Sequence, residues 1–263
     1  MFKQIRLDAG KVYFVPSDLE LREPSESSLD AGRRHFAIYI PWADKYLANV
    51  PAAYQAFFQK ALPYLHARTT DVHITQCLPF AHELIQATPQ PTDERVIHVA
   101  FILHDSGWSQ MTEAEVADSL GVKGLVLTGA SVGPKEKHAR LGRDIAEKVL
   151  NEFEFQPRLT DAQKNEIFQA ILFHDKPWEL AAGGDIPINV KIVCDVDHLW
   201  SCTHENFWQG TLRKGVAPPV YLENLGNDLD GYFTTAQGKA KARQLLEARR
   251  AEVEEWRAIS RAN

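Results

Sequence analysis

Two short segments of this chain close in the same way: Phe101-Ile-Leu-His104-Asp105-Ser-Gly-Trp108 and Ala170-Ile-Leu-Phe-His174-Asp175-Lys-Pro-Trp178. Each is an apolar run with the look of a helix end, followed by His-Asp and then a Gly or Pro that stops it. Imidazole and carboxylate are both metal ligands, and burying them side by side costs desolvation free energy unless a cation compensates. No wider self-similarity surrounds the second copy, so the pair is not a repeated fold unit.

The elements that must position these residues are helices. Between residues 52 and 205 apolar residues recur at i, i+3, i+4 and i+7. The stripes are His73-Cys77-Phe80-Ala81-Leu84, Ile97-Ala100-Phe101-His104, His138-Leu141-Gly142-Ile145-Val149, Ile167-Ala170-Ile171-His174 and Val190-Val193-Cys194-Asp197. Thr112-Glu115 and Thr160-Gln163 fit the capping box that opens a helix. Five helices thus each carry a potential ligand on a core-facing stripe. A single core histidine is ordinarily satisfied by a backbone carbonyl. Four of them on separate helices, with a carboxylate on a fifth, are more economically explained by convergence on one cation. Asp195 also lies on an apolar stripe (Ile188, Ile192, Asp195, Leu199), so periodicity alone leaves Asp195 and Asp197 open. Asp175 reads as a cap or hydrogen-bonding group beside the site. His35, His66, His82, His98, His198 and His204 read as surface or structural residues.

Length and composition set the outer limits. The 263 residues are enough for one large core with appendages, and 44% hydrophobic with 24% charged residues is ordinary for a soluble globular protein. A net charge of −6 without a long basic stretch argues against general nucleic-acid binding. Cys77, Cys194 and Cys202 have no zinc-knuckle spacing and read as reduced thiols, two of them core filler. The N-terminus lacks a signal-like region and no apolar run reaches the ~18 residues of a membrane span, so a cytoplasmic location is expected.

Three zones are expected. Residues 1–50 form an extension of short strands (Val12–Val15, Phe36–Ile40) and an exposed polar stretch from Asp18 to Arg34, wrapping the core. Residues 51–205 form the helical domain. Residues 206–263 form a loop around Gly215–Pro219 and a charged helix from about Thr235 to Ser260, packed on the same core. Trp108, Trp178, Trp200 and Trp208 fall near the motifs; at least two read as core aromatics, and stacking on a base is the other use open to them.

The order His73, His104-Asp105, Asp197 resembles the H…HD…D signature of the HD-domain superfamily of metal-dependent phosphohydrolases. Phe101-Ile-Leu-His104-Asp105-Ser-Gly107 looks like its second motif, Lys137-His138 and Ala170-Ile-Leu-Phe-His174 like the accessory His motifs of many members, and Asp195-Val-Asp197-His-Leu199 like its closing helix. The likeness covers roughly residues 55–205. It implies an all-α, HD-domain helical bundle with a short N-terminal irregular or β elaboration and a C-terminal helix. It further implies a metal held by His73, His104, Asp105 and Asp197, the family pattern favouring Asp197 over Asp195. His174-Asp175 stands where the HD-GYP phosphodiesterases carry two histidines, and the GYP signature is absent, which disfavours that subfamily.

Two imidazoles and two carboxylates suit a divalent transition metal (Mn, Fe, Co, Ni or Zn) better than Mg or Ca. Such a metal would make hydroxide near neutral pH, so one ion suffices and the mononuclear site is the simpler expectation; a second ion on His138 and His174 is the alternative. Asp105, His138 and His174 are the expected catalytic residues. Lys135, Lys137 and Arg140, at the start of a helix after a Gly/Ser-rich loop (Gly129–Gly133), are expected to meet substrate phosphate. The expected activity is hydrolysis of a nucleotide or other small phosphoester, and a small phosphorylated substrate is the one partner expected. The same six residues also match HD-type mixed-valent diiron oxygenases, and a catalytically silent nucleotide-binding module is a third reading.

Overall fold

The computed structural model describes residues 1–7, 11–21, 40–112, 115–116, 119 and 132–262. Most of the polar stretch before Arg34, His35, the run Phe36–Tyr39 and most of the loop Gly129–Gly133 lie outside them. Among the described residues the fold is all-α apart from one hairpin, in which β1 (Phe2–Leu7) pairs antiparallel with β2 (Lys11–Pro16), Phe2 opposite Pro16. None of the described helices is long and apolar enough to cross a membrane.

The bundle is built from α1 (Ala52–Ala61), α2 (Thr70–Ala87), α3 (Glu94–Leu103), α4 (Val132–Glu152), α5 (Asp161–Phe173), α6 (Pro177–Ala181) and α7 (Ile188–Leu199). Helix α3 is its axis: Val96 to Leu103 are all buried, as expected of a helix apolar on every side. It packs against α2, α5 and α7, and α5 in turn packs on α4.

Polar residues fix one end of this assembly. Asp93 caps α3 by accepting from the backbone N–H of Arg95 and Val96, and its other oxygen accepts from Gln163 Nε2 at 2.7 Å. Gln163 completes the capping box of α5 with Thr160. Asn189, in the first turn of α7, accepts from the Asp93 backbone N–H and donates to Glu166. Thr112 and Glu115 also exchange the hydrogen bonds of a capping box. The N-termini of α3, α5 and α7 are thereby tied together, and their C-termini run to the same opposite end.

The C-terminal region is more helical than its sequence suggests. Residues expected to form a loop and one helix instead give α8 (His204–Lys214), α9 (Pro218–Asn227), α10 (Leu229–Tyr232) and α11 (Ala236–Ala262). Gly215 and Pro218 are the punctuation: Gly215 ends α8 in a left-handed conformation (φ 62°) and Pro218 opens α9. These helices and the hairpin share a second core of Val15, Leu19, Phe207, Trp208, Tyr221 and Val253. All three cysteines are free and buried.

Candidate metal centre

The two His-Asp doublets owe their position to the same local device. His104 and His174 are the C-cap residues of α3 and α5, where the last turn leaves carbonyls without helical partners. Each imidazole turns back on its own helix: His104 Nδ1 lies 2.6 Å from the Phe101 carbonyl and His174 Nδ1 2.7 Å from that of Ile171. A carbonyl only accepts, so Nδ1–H donates and Nε2 of each ring is left facing away from its own helix. His73 enters from the first turn of α2, His138 from the second turn of α4, and Asp197 from the last turn of α7.

Close backbone approach lets α4 reach the cluster. A Cβ on Gly107 would overlap the His138 carbonyl, and one on Gly142 would press on that of His104. Glycine at both positions admits α4 against the segment Ser106–Gln110. Trp108 then stacks on His138 (centroids 3.9 Å apart) and donates from Nε1 to Asp105 Oδ1 at 2.8 Å. Trp200 stacks on His73 at 5.1 Å.

All six sequence-derived donors meet in one buried cluster, divided by Asp105. Asp105 Oδ2 lies 3.5 Å from His73 Nδ1 and 3.6 Å from His104 Nε2, while Asp197 Oδ1 is 3.3 Å from both His73 Nε2 and His104 Nε2. The other oxygen, Asp105 Oδ1, is 3.4 Å from His138 Nε2 and 3.5 Å from His174 Nε2. Two donor groups result, His73-His104-Asp105-Asp197 and Asp105-His138-His174. The ligand atoms of each lie within 4.8 Å of one another, close to twice a metal–ligand bond of about 2.0–2.2 Å.

The residues fit a cation on independent grounds. His73 Nε2 and His104 Nε2 are buried without a hydrogen-bond partner, an expensive state for a polar atom that nothing ligates. The field at the cluster is negative. Burial would lower the pKa of His174, but Asp105, Asp175 and Asp197 raise it to about 9. Burial likewise opposes ionisation of Asp105, yet His104, His138, His174 and His73 hold its carboxyl well below the usual range. Asp197 is lowered to about 2 by His104, against the effect of burial. The C-termini of α3, α5 and α7 add the negative ends of three helix dipoles.

Cations rim the cavity beside the cluster. A space of ≈ 190 Å³ is lined by Arg68, Lys135, Arg213 and Lys214, with His198 and Trp200. Of the three basic residues expected from sequence to meet phosphate, only Lys135 lines it; its Nζ donates to Asp175 Oδ1 at 3.0 Å. Lys137 is drawn off to Glu115 at 2.7 Å and Arg140 is exposed on α4, so neither lines this cavity. Arg68 takes their place through an unusual backbone: it and Thr69 both have left-handed φ (58° and 59°), costing about 1–3 kcal/mol each. This sets the Arg68 guanidinium 4.0 Å over the Trp108 ring. Burial lowers Arg213 to about 10, with Arg68 adding to the shift.

Sequence reasoning passed over Arg68, Arg213 and Lys214 and read His198 as surface or structural. Arg68, five residues before His73, and His198, next to Asp197, had a signal in their nearness to the motifs; Arg213 and Lys214 had none. Asp175 does stand beside the cluster, its Oδ2 3.7 Å from His138 Nε2. Trp208 is core, bonded to Glu252, and Trp178 is exposed.

With the bundle and its six donors in view, comparison with known proteins gives the class. Residues 70–200 match the family model of the HD domain, and the chain belongs to the HD-domain superfamily, a family of metal-dependent hydrolases. The matched span contains all six donors. Nothing among the curated proteins or the solved structures matches this chain.

Proposed function

We propose that the protein is a phosphohydrolase that acts on a small phosphoester, such as a nucleotide, and that its donors would hold two divalent transition-metal ions, Asp105 belonging to both donor groups. The observation that carries this reading is the shared carboxylate between two donor groups, directly beside a cavity rimmed by cations. His73, His104, Asp105 and Asp197 would hold one ion, and Asp105, His138 and His174 the other. The mixed N/O donor set favours Mn, Fe, Co, Ni or Zn. Such ions supply Lewis acidity toward a phosphoryl oxygen and bring the pKa of water toward neutrality.

The chain's own residues supply the rest. Arg68, Lys135, Arg213 and Lys214 offset phosphate charge, with guanidinium forks that match phosphate geometry. Trp108 fixes the rotation of Asp105 through its Nε1 bond. In the hydrolysis, water oxygen forms the new P–O bond, the P–O bond to the leaving group breaks, and a water proton ends on the leaving oxygen. The test is a panel of nucleotides and phosphomonoesters with Mn, Co or Ni. Phosphate release is expected from at least one member, abolished by chelator and by Asp105→Ala. No release with any ion, combined with oxygen consumption under Fe(II), would replace this reading with the diiron oxygenase, which uses the same six donors. Ligand binding without turnover would leave the silent module.

A further inference from the structure

A second, larger cavity of ≈ 420 Å³ adjoins the metal-side one, among α8, α9 and α10. Four residues, His198, Ser201, Lys214 and Tyr232, line both cavities, so only a layer of side chains separates them. The characters of the two differ. The metal-side cavity is lined by cations and by the carboxylates of the cluster, whereas the second mixes apolar walls, Val216, Tyr221, Leu225 and Phe233, with a polar edge of Asn224, Asn227 and Asp228. Tyr232 stands at the junction, 45% exposed, with its ring edge-on to His198 at 5.1 Å. Most of this second cavity lies beyond residue 200, where the HD-domain match ends.

We propose that this second cavity receives the leaving group of the phosphoester and that the leaving group carries a ring. The inference rests on the phosphohydrolase reading and adds a substrate class to it. A space of ≈ 190 Å³ is smaller than the roughly 300–1,000 Å³ of a typical ligand site and suits a phosphate headgroup. The rest of the molecule must lie in adjoining space, and this cavity shares four lining residues with the first. Its aromatic rings, Tyr232 exposed and Tyr221 and Phe233 largely covered, favour a flat body packed edge-to-face or offset-stacked. The amides of Asn224 and Asn227 provide donors and acceptors for a polar ring edge, which an aliphatic tail would leave unused. The C-terminal helices are therefore the specificity element, attached to a catalytic bundle that recognises only the phosphate end.

The experiment is isothermal titration of the Mn²⁺-loaded full chain with two phosphonates that hydrolysis cannot consume, methylphosphonate and 1-naphthylmethylphosphonate. The naphthyl compound should bind at least about tenfold tighter, from the apolar area it buries. Two substitutions test where that advantage arises. Asn224→Trp, at an exposed helix position, fills the cavity, and Tyr232→Ala removes a wall at the junction; circular dichroism checks that both variants are folded. In each, the affinity ratio should fall at least about threefold, the scale of a partly lost hydrophobic contact. A ratio near one in the natural chain, or one unchanged in either variant, overturns the inference. If inorganic phosphate and methylphosphonate bind but the naphthyl group adds nothing, only the leaving-group pocket falls. If neither phosphate nor either phosphonate binds, the phosphohydrolase reading falls with it.

Discussion

Asp105 is the residue on which the centre turns. One carboxylate oxygen faces His73 and His104 while the other faces His138 and His174. Its neighbours cannot replace it, because His104 and His174 are held to their own helices by carbonyls three residues back. Asp105→Ala should reduce bound metal to near zero, measured by elemental analysis of the freshly purified protein, with its circular dichroism unchanged. Full occupancy in that variant would show the ligand assignment to be wrong. His138→Ala and His174→Ala should each halve a stoichiometry that approaches two ions per chain. A stoichiometry of one, unaffected by either change, would return the site to the mononuclear form that the sequence alone makes simpler.

At the scale of the helix, α7 shows how two similar carboxylates come to different duties. Residues two apart on a helix are separated by roughly 200° around its axis, so Asp195 and Asp197 face opposite ways. Asp197 faces the cluster. Asp195 is buried against the start of α11, its Oδ1 accepting from the backbone N–H and hydroxyl of Thr234 (2.6 and 2.9 Å) and its Oδ2 from those of Thr235 (2.9 and 2.5 Å). Gly238 keeps the space clear, since a Cβ there would collide with the Asp195 carboxylate. Asp195→Ala should therefore destabilise the fold by at least about 2 kcal/mol in denaturant unfolding, because it orphans buried donors, while metal content per folded chain is kept. Asp197→Asn should do the reverse, losing metal at little cost in stability. If Asp195→Ala were the one to lose metal, the two roles would be exchanged.

At the scale of the molecule, α11 joins the hairpin and α8 to the bundle. Glu252 on α11 accepts from Trp208 Nε1 at 2.7 Å, from Arg249 Nε at 2.9 Å and from His204. Although burial opposes it, the bonds from His204, Arg249 and Trp208 lower the Glu252 pKa from 4.5 to about 2. A carboxylate whose folded pKa is depressed contributes stability that is fully present above its unfolded value and is lost as pH falls through the folded one. Thermal stability should therefore decline between pH 5 and 2, as followed by circular dichroism melts. Glu252→Gln should start lower and show a shallower decline across the same interval; an equal slope would remove Glu252 from the acid transition.

The helices, their capping boxes and the five core-facing stripes were legible in the sequence because periodicity and end signals are local: a helix records its buried face every three or four residues. The donors His73, His104, His138 and His174 could be found for the same reason, as polar interruptions of apolar stripes. Periodicity could not choose between Asp195 and Asp197, since both stripes are apolar; the family pattern favoured Asp197, and the packing of α11 on Asp195 supplies the physical reason, turning that face of α7 from the cluster. Of the cationic rim, Lys135 was legible and the rest was not. Arg68 reaches the cavity through a left-handed backbone, and Lys214 through a helix that the chain supplies only after residue 203. Lys137, near the motif, is taken by Glu115. Long flexible side chains carry no periodic constraint on where their charges end, so tertiary packing decides which of them face the metal cluster.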